Sequence, residues 1–330
     1  MIGDRLKHGR VKARRFAFLA FAAIGALAIG ACGEAVVPSV TFQSDRDGNW
    51  EIYSVLIDGT GLTNLTNNPA ADSYPALSLE GEVLAFIRSS ESGNDIWTSD
   101  PDGANATNLT NGSATGEIHS IAWFPRASAL LFTMSVDGVA EGRSQMYKIN
   151  TDGTGLAKLD ADEALFYRNA QVSPVGGRIA ASAGTSLDSL DVYLLETDGR
   201  LLNILPPAGD FRTKALGDFR AEGVNEDEPD FDVTGRRLYY TTNVRGPLAL
   251  FEVESDGRKN APLIELESND RHPYKSSELE GFGLAFTSDR DGNDEIYVLN
   301  QTSNELTRLT NNPAQDMRPT WVKEPHQKVG

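Results

Sequence analysis

Ser44–Tyr53 reads SDRDGNWEIY, and Ser288–Tyr297 reads SDRDGNDEIY. The stretch Leu62–Ala76, LTNLTNNPAADSYPA, likewise returns at Leu306–Thr320 as LTRLTNNPAQDMRPT. Both pairs are offset by 244 residues, so one long unit recurs rather than two short words. Weaker copies lie between them. Short apolar strands centred on Phe42, Phe86, Phe132, Ala181, Tyr240 and Phe286 are spaced 44, 46, 49, 59 and 46 residues apart. Self-similarity at such a period marks a repeat architecture before any local assignment is made. Each centre is followed by an alternating segment: EIYSVLI, DIWTSD, QMYKINT, DVYLLET, ALFEVES and EIYVLNQ. Alternation rich in β-branched and aromatic residues is the pattern of half-buried sheet. Most of these segments then meet a DG turn, as at Asp58-Gly59, Asp102-Gly103, Asp152-Gly153, Asp198-Gly199 and Asp256-Gly257. That dipeptide supplies the positive φ a tight hairpin needs.

Four strands per unit of roughly 45 residues, repeated radially, predict the blades of a β-propeller. The repeat resembles the TolB-type propeller repeat, whose pattern runs S-D-R-D-G-N-x-x-I-Y, then L-T, then D-x-x-P-x-W. The resemblance covers Val40 to about Pro325, strongest in the first and last units and eroded in the third and fourth. It implies an all-β, six-bladed β-propeller of four-stranded antiparallel blades. The chain enters the repeat at Val40 with a second strand and ends at Pro319-Thr320-Trp321 with an innermost one. The C-terminal strand is therefore expected to pair with the N-terminal three and close the ring, burying edges that an open array exposes. Trp321 gains a structural role in that closure.

The N-terminus reads differently from the body. Met1–Arg15 is basic, and Phe16–Ala31 is an unbroken run of apolar residues and Gly. Sixteen such residues fall short of the roughly 20 a membrane-spanning helix needs. A positive region followed by a short apolar one is a secretory signal. It ends in Ile29-Gly30-Ala31-Cys32, which resembles the bacterial lipobox. In that family the cysteine receives a diacylglycerol, cleavage occurs before it, and the new amine is acylated. Cys32 is the only cysteine of the chain. Two or more acyl chains anchor stably where one binds only marginally. Arg14-Arg15 lacks the rest of a twin-arginine motif, which favours the general secretory route. Gly33 stands where resembling proteins place the Asp of inner-membrane retention, which points to the outer membrane in a two-membrane bacterium. The expected organisation is a signal peptide over 1–31, an anchor and linker over 32–39, the propeller over 40–325 and a tail over 326–330.

The chain of 330 residues carries 47 acidic and 30 basic side chains, a net charge of −17. Without residues 1–31, 24 bases face 46 acids, a net charge of −22. Nucleic-acid binding relies on clustered Lys and Arg, so that partner class is excluded. A single cysteine excludes intramolecular disulfides and cysteine-based zinc sites. Beyond the signal the histidines are His119, His272 and His326. His119 and His272 fall near the start of innermost strands, assigned to blades two and five, hence near the axial channel. No G-x-S-x-G elbow and no phosphate-binding glycine loop appears. Asp45-Arg46-Asp47-Gly48 puts Gly at the fourth position, where an EF-hand needs it sixth. Ser44–Trp50 also has the wrong spacing for a sialidase Asp box. The segment is expected to be a turn whose carboxylates accept backbone N–H groups. No cofactor and no metal site is expected.

In an antiparallel meander the second-to-third and fourth-to-first connections emerge on one face. SDRDGN and TNNPAxD therefore share a face, opposite the DG turns. On it Asp72, Glu226, Asp270 and Asp316 each stand three residues before a proline, at Pro75, Pro229, Pro273 and Pro319. They are candidates for an acidic ring at the channel mouth, able to attract a cation or a basic segment. The wide spacing before Tyr240 places an insertion over Pro206–Asp227, on the same face. It gathers Arg212, Lys214 and Arg220 with Phe211 and Phe219, and aromatic and Arg side chains are types enriched at binding hot spots.

The resemblance implies a lipid-anchored, TolB-like interaction module docking a protein or peptide at the cell envelope, with a monomeric body. TolB carries a small α/β domain before its propeller. Here only Cys32–Ser39 separates the anchor from the first strand, so that domain is expected to be missing and its contacts are not carried over. The alternatives are a carbohydrate-active or metal-dependent lyase using the channel, and a periplasmic ligand sensor.

Overall fold

The computed structural model describes residues 38–91, 93–136, 143–186, 188–202, 224–264, 268–276 and 283–321. The described residues form six antiparallel sheets and one short 3₁₀ turn, Pro125–Ala127. The innermost strands are Asp72–Leu77, Gly116–Trp123, Phe166–Val172, Glu226–Phe231, Asp270–Lys275 and Asp316–Trp321. Each packs against the next in sequence, and Asp316–Trp321 packs against Asp72–Leu77, so the six form a closed ring. This is the expected six-bladed propeller. Blade one is the sheet containing Ser39–Ser44, and the others follow in chain order.

Blade one is built from both ends of the body. Ser39–Ser44 pairs with Glu51–Leu56 on one side and with Asp316–Trp321 on the other. Val40 lies opposite Trp321, and Ser44 opposite Asp316. Trp321 is buried with Val40, Phe42, Tyr53, Ala285 and Ile296, which places it between blades one and six.

Five sheets have four strands. Blade four has three, Phe166–Val172, Ile179–Ser186 and Ser189–Leu195. Its outermost position is reduced to a bridge between Leu195 and Leu201, with the Leu202 N–H donating to the Leu194 carbonyl at 3.0 Å. Residues 206–223 of the inserted segment, with Phe211, Arg212, Lys214, Phe219 and Arg220, lie outside the described residues, whereas its expected end, Glu226 and Asp227, belongs to the innermost strand of blade five. The signal region, Cys32, His326 and the tail also lie outside the described residues.

The core is divided by blade interfaces rather than gathered at one centre. Six apolar clusters occur, each joining two adjacent blades. The six strand centres read from the sequence, Phe42 through Phe286, are all fully buried. A twisted sheet is apolar on both faces only when a neighbour covers each face, which the ring supplies. The DG turns have a second duty here. A Cβ on Gly103 would sit 1.9 Å from the Leu65 carbonyl oxygen of blade one. The turn of one blade thus lies directly on the outer segment of the blade before it.

Candidate functional site

The two recurring motifs interlock. In blade one the Asn49 side-chain amide donates to the carbonyls of Asn68 at 2.9 Å and Ala70 at 3.0 Å. Glu51 accepts the Asn68 N–H at 2.7 Å, and Thr66 Oγ1 accepts the Ile52 N–H at 3.0 Å. Blade six repeats the pattern with Asn293, Glu295, Thr310 and Asn312. SDRDGN is therefore a turn, as expected, with Gly48 at φ 99°. Asp45 accepts the Gln315 N–H at 2.8 Å, but Asp47 accepts from the Tyr53 hydroxyl rather than from backbone.

The arginine of SDRDGN reaches the innermost strand. The Arg46 guanidinium lies 4.6 Å from the Tyr53 ring centroid and donates to both oxygens of Asp316 at 2.9 and 2.8 Å. Arg88 does the same with Trp97 and Asp72, and Arg290 lies over Tyr297 and donates to one oxygen of Asp270 at 2.8 Å. Asp72, Asp270 and Asp316 are buried, so these carboxylates are wall groups held by arginine. Burial pushes the Asp72 carboxyl up, against the opposing pull of Arg88. Glu226 is also buried and accepts the Val192 N–H at 3.3 Å. Desolvation on the sheet demands partners for these carboxylates, and Asp72, Asp270 and Asp316 meet arginines within the wall.

What lines the axis is the residue at the register break, which precedes the proline in four strands and Ala170 in blade four. Five innermost strands break register at this point, and Tyr74, Asn169, Glu228, His272 and Arg318 have φ of 53, 45, 56, 52 and 55°. Such backbone costs about 1–3 kcal/mol per residue and persists only where surroundings enforce it. The enforcement comes from the preceding blade. The N–H of Tyr74 donates to Gln43 Oε1, that of Glu228 to Ser182 Oγ, that of His272 to Glu228 Oε2 and that of Arg318 to Thr287 Oγ1, at 2.7–3.1 Å. All five side chains line an axial cavity of about 780 Å³, counting its open mouth, walled by the ring prolines and Ser120–Trp123 of blade three.

Within it, His272 Nε2 lies 2.8 Å from Glu228 Oε1, and His272 Nδ1 lies 3.1 Å from the Thr287 hydroxyl. Thr241 donates to Glu228 Oε2 at 3.0 Å. A neutral imidazole protonated at Nε2 satisfies this set, with Thr287 donating to Nδ1 and accepting from the Arg318 N–H. Burial pushes His272 below its ordinary 6.5, helped by Arg318 and Arg271 and opposed by Glu228. Burial disfavours ionised Glu228, yet His272 and Arg318 hold it well below the usual carboxylate range. His119, 2.8 Å from Ser135 Oγ, is also lowered by burial and by Arg168, against Glu117.

These shifts have a sign. Between 6.5 and the lower folded values the unfolded chain binds protons that the fold does not, so stability is present above that window and lost as pH falls through it. Melting temperature is expected to fall from pH 7 to pH 5, with a slope of up to about 1.4 kcal/mol per pH unit per histidine. In His272→Gln the slope should be visibly shallower. A wild-type melting temperature constant over that range would refute the neutral assignment.

No protein-family model matches the chain. It is 24% identical over 283 residues to a protein TolB homolog of Chlorobium luteolum, covering 86% of this chain and 59% of that protein. A TolB homolog of Chlorobaculum tepidum is 30% identical over 120 residues, 35% of this chain and 25% of its own length. The chain thus spans no more than three-fifths of these curated relatives. The crystal structure of TolB from Acinetobacter baumannii superposes with a TM-score of 0.67 at 12% identity, covering 86% of this chain and 66% of that one. The body is a TolB-like propeller.

In this TolB-like propeller His119 and His272 belong to blades three and six, not two and five. They do not converge on a shared site: His272 lines the cavity with Glu228, whereas His119 bonds within its own blade. The sequence reading missed Tyr74, Asn169, Glu228 and Arg318. A signal for Tyr74, Glu228 and Arg318 was present in the acid-x-x-Pro repeat, where the residue before proline changes from Tyr to Glu, His and Arg, but Asn169 precedes Ala170 and carried no such signal.

Proposed function

We propose that this chain is a lipid-anchored module of the bacterial cell envelope that docks a protein or peptide segment at the mouth of its axial cavity. One observation carries the reading: five equivalent positions on a repeated frame hold five different side chains, Tyr74, Asn169, Glu228, His272 and Arg318, in enforced left-handed backbone. Fold maintenance requires the buried centres and, in four of the five strands, the acid and the proline, which recur. It does not require variety at cavity-lining positions, whereas recognition does. The likeness to TolB homologues supports an envelope location, and the lipobox at Cys32 supplies the anchor. Fold alone assigns no partner.

Two measurements test it. Cys32→Ser should lose metabolic labelling by a palmitate analogue, and persistent labelling would remove the anchor. Affinity capture from envelope extracts should return a protein with the wild type that is lost with Tyr74→Ala plus Gln171→Ala, at unchanged melting temperature. A captured protein retained by that variant would move the docking site away from the cavity.

A further inference from the structure

Most arginines of the blade frame are met by carboxylates. Arg46 is held by Asp316, Arg88 by Asp72, Arg290 by Asp270, Arg271 by Asp294 and Arg308 by Glu295. Arg318 departs from this rule. Its guanidinium carbon lies 4.0 Å from the Tyr74 ring centroid, and one Nη lies 3.4 Å from the Tyr74 hydroxyl. Among the described residues it forms no ion pair. The ring and its hydroxyl hold the guanidinium in place, and the backbone below it is fixed by the bond to Thr287.

Among the described residues, Glu228 is the only acid and Arg318 the only permanent cation lining the cavity. Glu228 is already engaged: one oxygen faces the His272 ring, and the other accepts from the His272 N–H and Thr241. The rest of the wall is mostly proline and aliphatic, with Gln171 as a further neutral donor. A second guanidinium, Arg168, adjoins the lining residue Asn169, and its Nε is buried without a hydrogen-bond partner. A planar fork with uncommitted N–H donors, at the edge of a low-dielectric cavity, matches a carboxylate. A phosphate dianion is disfavoured, because one stacked cation beside ionised Glu228 in a body of strong negative charge balances a single charge at most.

We propose that the axial cavity is a carboxylate-binding site in which Arg318, held over the Tyr74 ring, makes the charge-assisted contact. The proposal deepens the docking reading by naming the chemistry that the mouth selects. The carboxylate comes either from a free small acid or from an acidic side chain of a partner segment.

The test is titration of the ¹⁵N-labelled protein, at constant ionic strength, with succinate, with Ac-Ala-Glu-Ala-NH₂ and with Ac-Ala-Gln-Ala-NH₂, reading the arginine Nε–H resonances. A saturable shift of one resonance is expected, identified as Arg318 by its absence in Arg318→Lys. The Glu peptide should bind at least tenfold more tightly than the Gln peptide, and Arg318→Gln should abolish that preference at unchanged melting temperature. Arg318→Lys, which keeps the charge but not the fork, should weaken it about tenfold. Saturation by succinate as tight as by the Glu peptide assigns the site to free acids, and saturation by the peptide alone assigns it to a segment; both uphold the proposal. Absence of saturation with either carboxylate, equal binding of the two peptides, or wild-type binding by Arg318→Gln would overturn it. A captured envelope protein that depends on Tyr74 and Gln171 but survives Arg318→Gln would leave the docking reading standing and remove this one.

Discussion

A chain ending at Met317 is expected to lose its cooperative melt and to aggregate. Pro319, Thr320 and Trp321 are the end of the innermost strand of blade one, and among the described residues no other segment pairs with that side of Ser39–Ser44. Their removal opens the strand edge at Val40 and Thr41, uncovers Phe42 and Val55, and withdraws Trp321 from the cluster shared with blade six. An opened ring also frees two blade faces at once, because each blade is covered only by its neighbours. The expected loss exceeds about 5 kcal/mol, comparable with the whole stability of an ordinary domain. Calorimetry and light scattering against the full chain decide the matter. A truncated protein melting cooperatively within a few degrees of the full chain would show that the blade closes by another route.

Asp316→Ala should be the most damaging single change on the frame. Asp316 is fully buried and accepts two bonds from Arg46 and one from Asn312 at 2.6 Å. Removing the carboxylate leaves the guanidinium over Tyr53 with its charge uncompensated. Loss of one partner of a buried pair costs about 3–5 kcal/mol. Chemical denaturation should show the midpoint falling with the slope unchanged. In the double variant Arg46→Met, Asp316→Leu the loss should be smaller than with Asp316→Ala alone, because no charge is stranded. Asp256→Ala, which removes the exposed partner of Arg258, serves as the control and should change little. Equal midpoints for Asp316→Ala and Asp256→Ala would mean that the buried clasp contributes nothing.

Much of the frame was legible in the sequence because its determinants are local and repeated. The period, the alternating segments and the DG turns each report short-range geometry, so six blades and their meander followed from the letters. Closure was legible too, since a chain that enters on a second strand and ends on an innermost one leaves a single place for Trp321. Blade four shows where this fails. Its Leu201 makes only a bridge, although the DG turn before it reads like the others. Strand formation at an outer edge depends on what covers it, and that cover is not written in the local pattern.

The sequence by itself determined the repeat, the blade count and the pairing of the ends, because those depend on periodicity and turn chemistry within a few residues. Tertiary structure alone decided which side chains face the axis. Arg46 and Arg290 stand four residues after their buried aromatics Phe42 and Phe286, and Arg88 stands two after Phe86, yet all three guanidinia reach equivalent aromatic and acidic partners in their own blades. Asp72, Asp270 and Asp316 meet them within the wall. The residues before the prolines turn to the axis instead, because bonds from the preceding blade hold their backbone at positive φ. A one-residue change in side-chain direction at a bulge exchanges wall for cavity. It is fixed by contacts between positions as far apart in the chain as Gln43 and Tyr74 or Thr287 and Arg318, which no local pattern encodes.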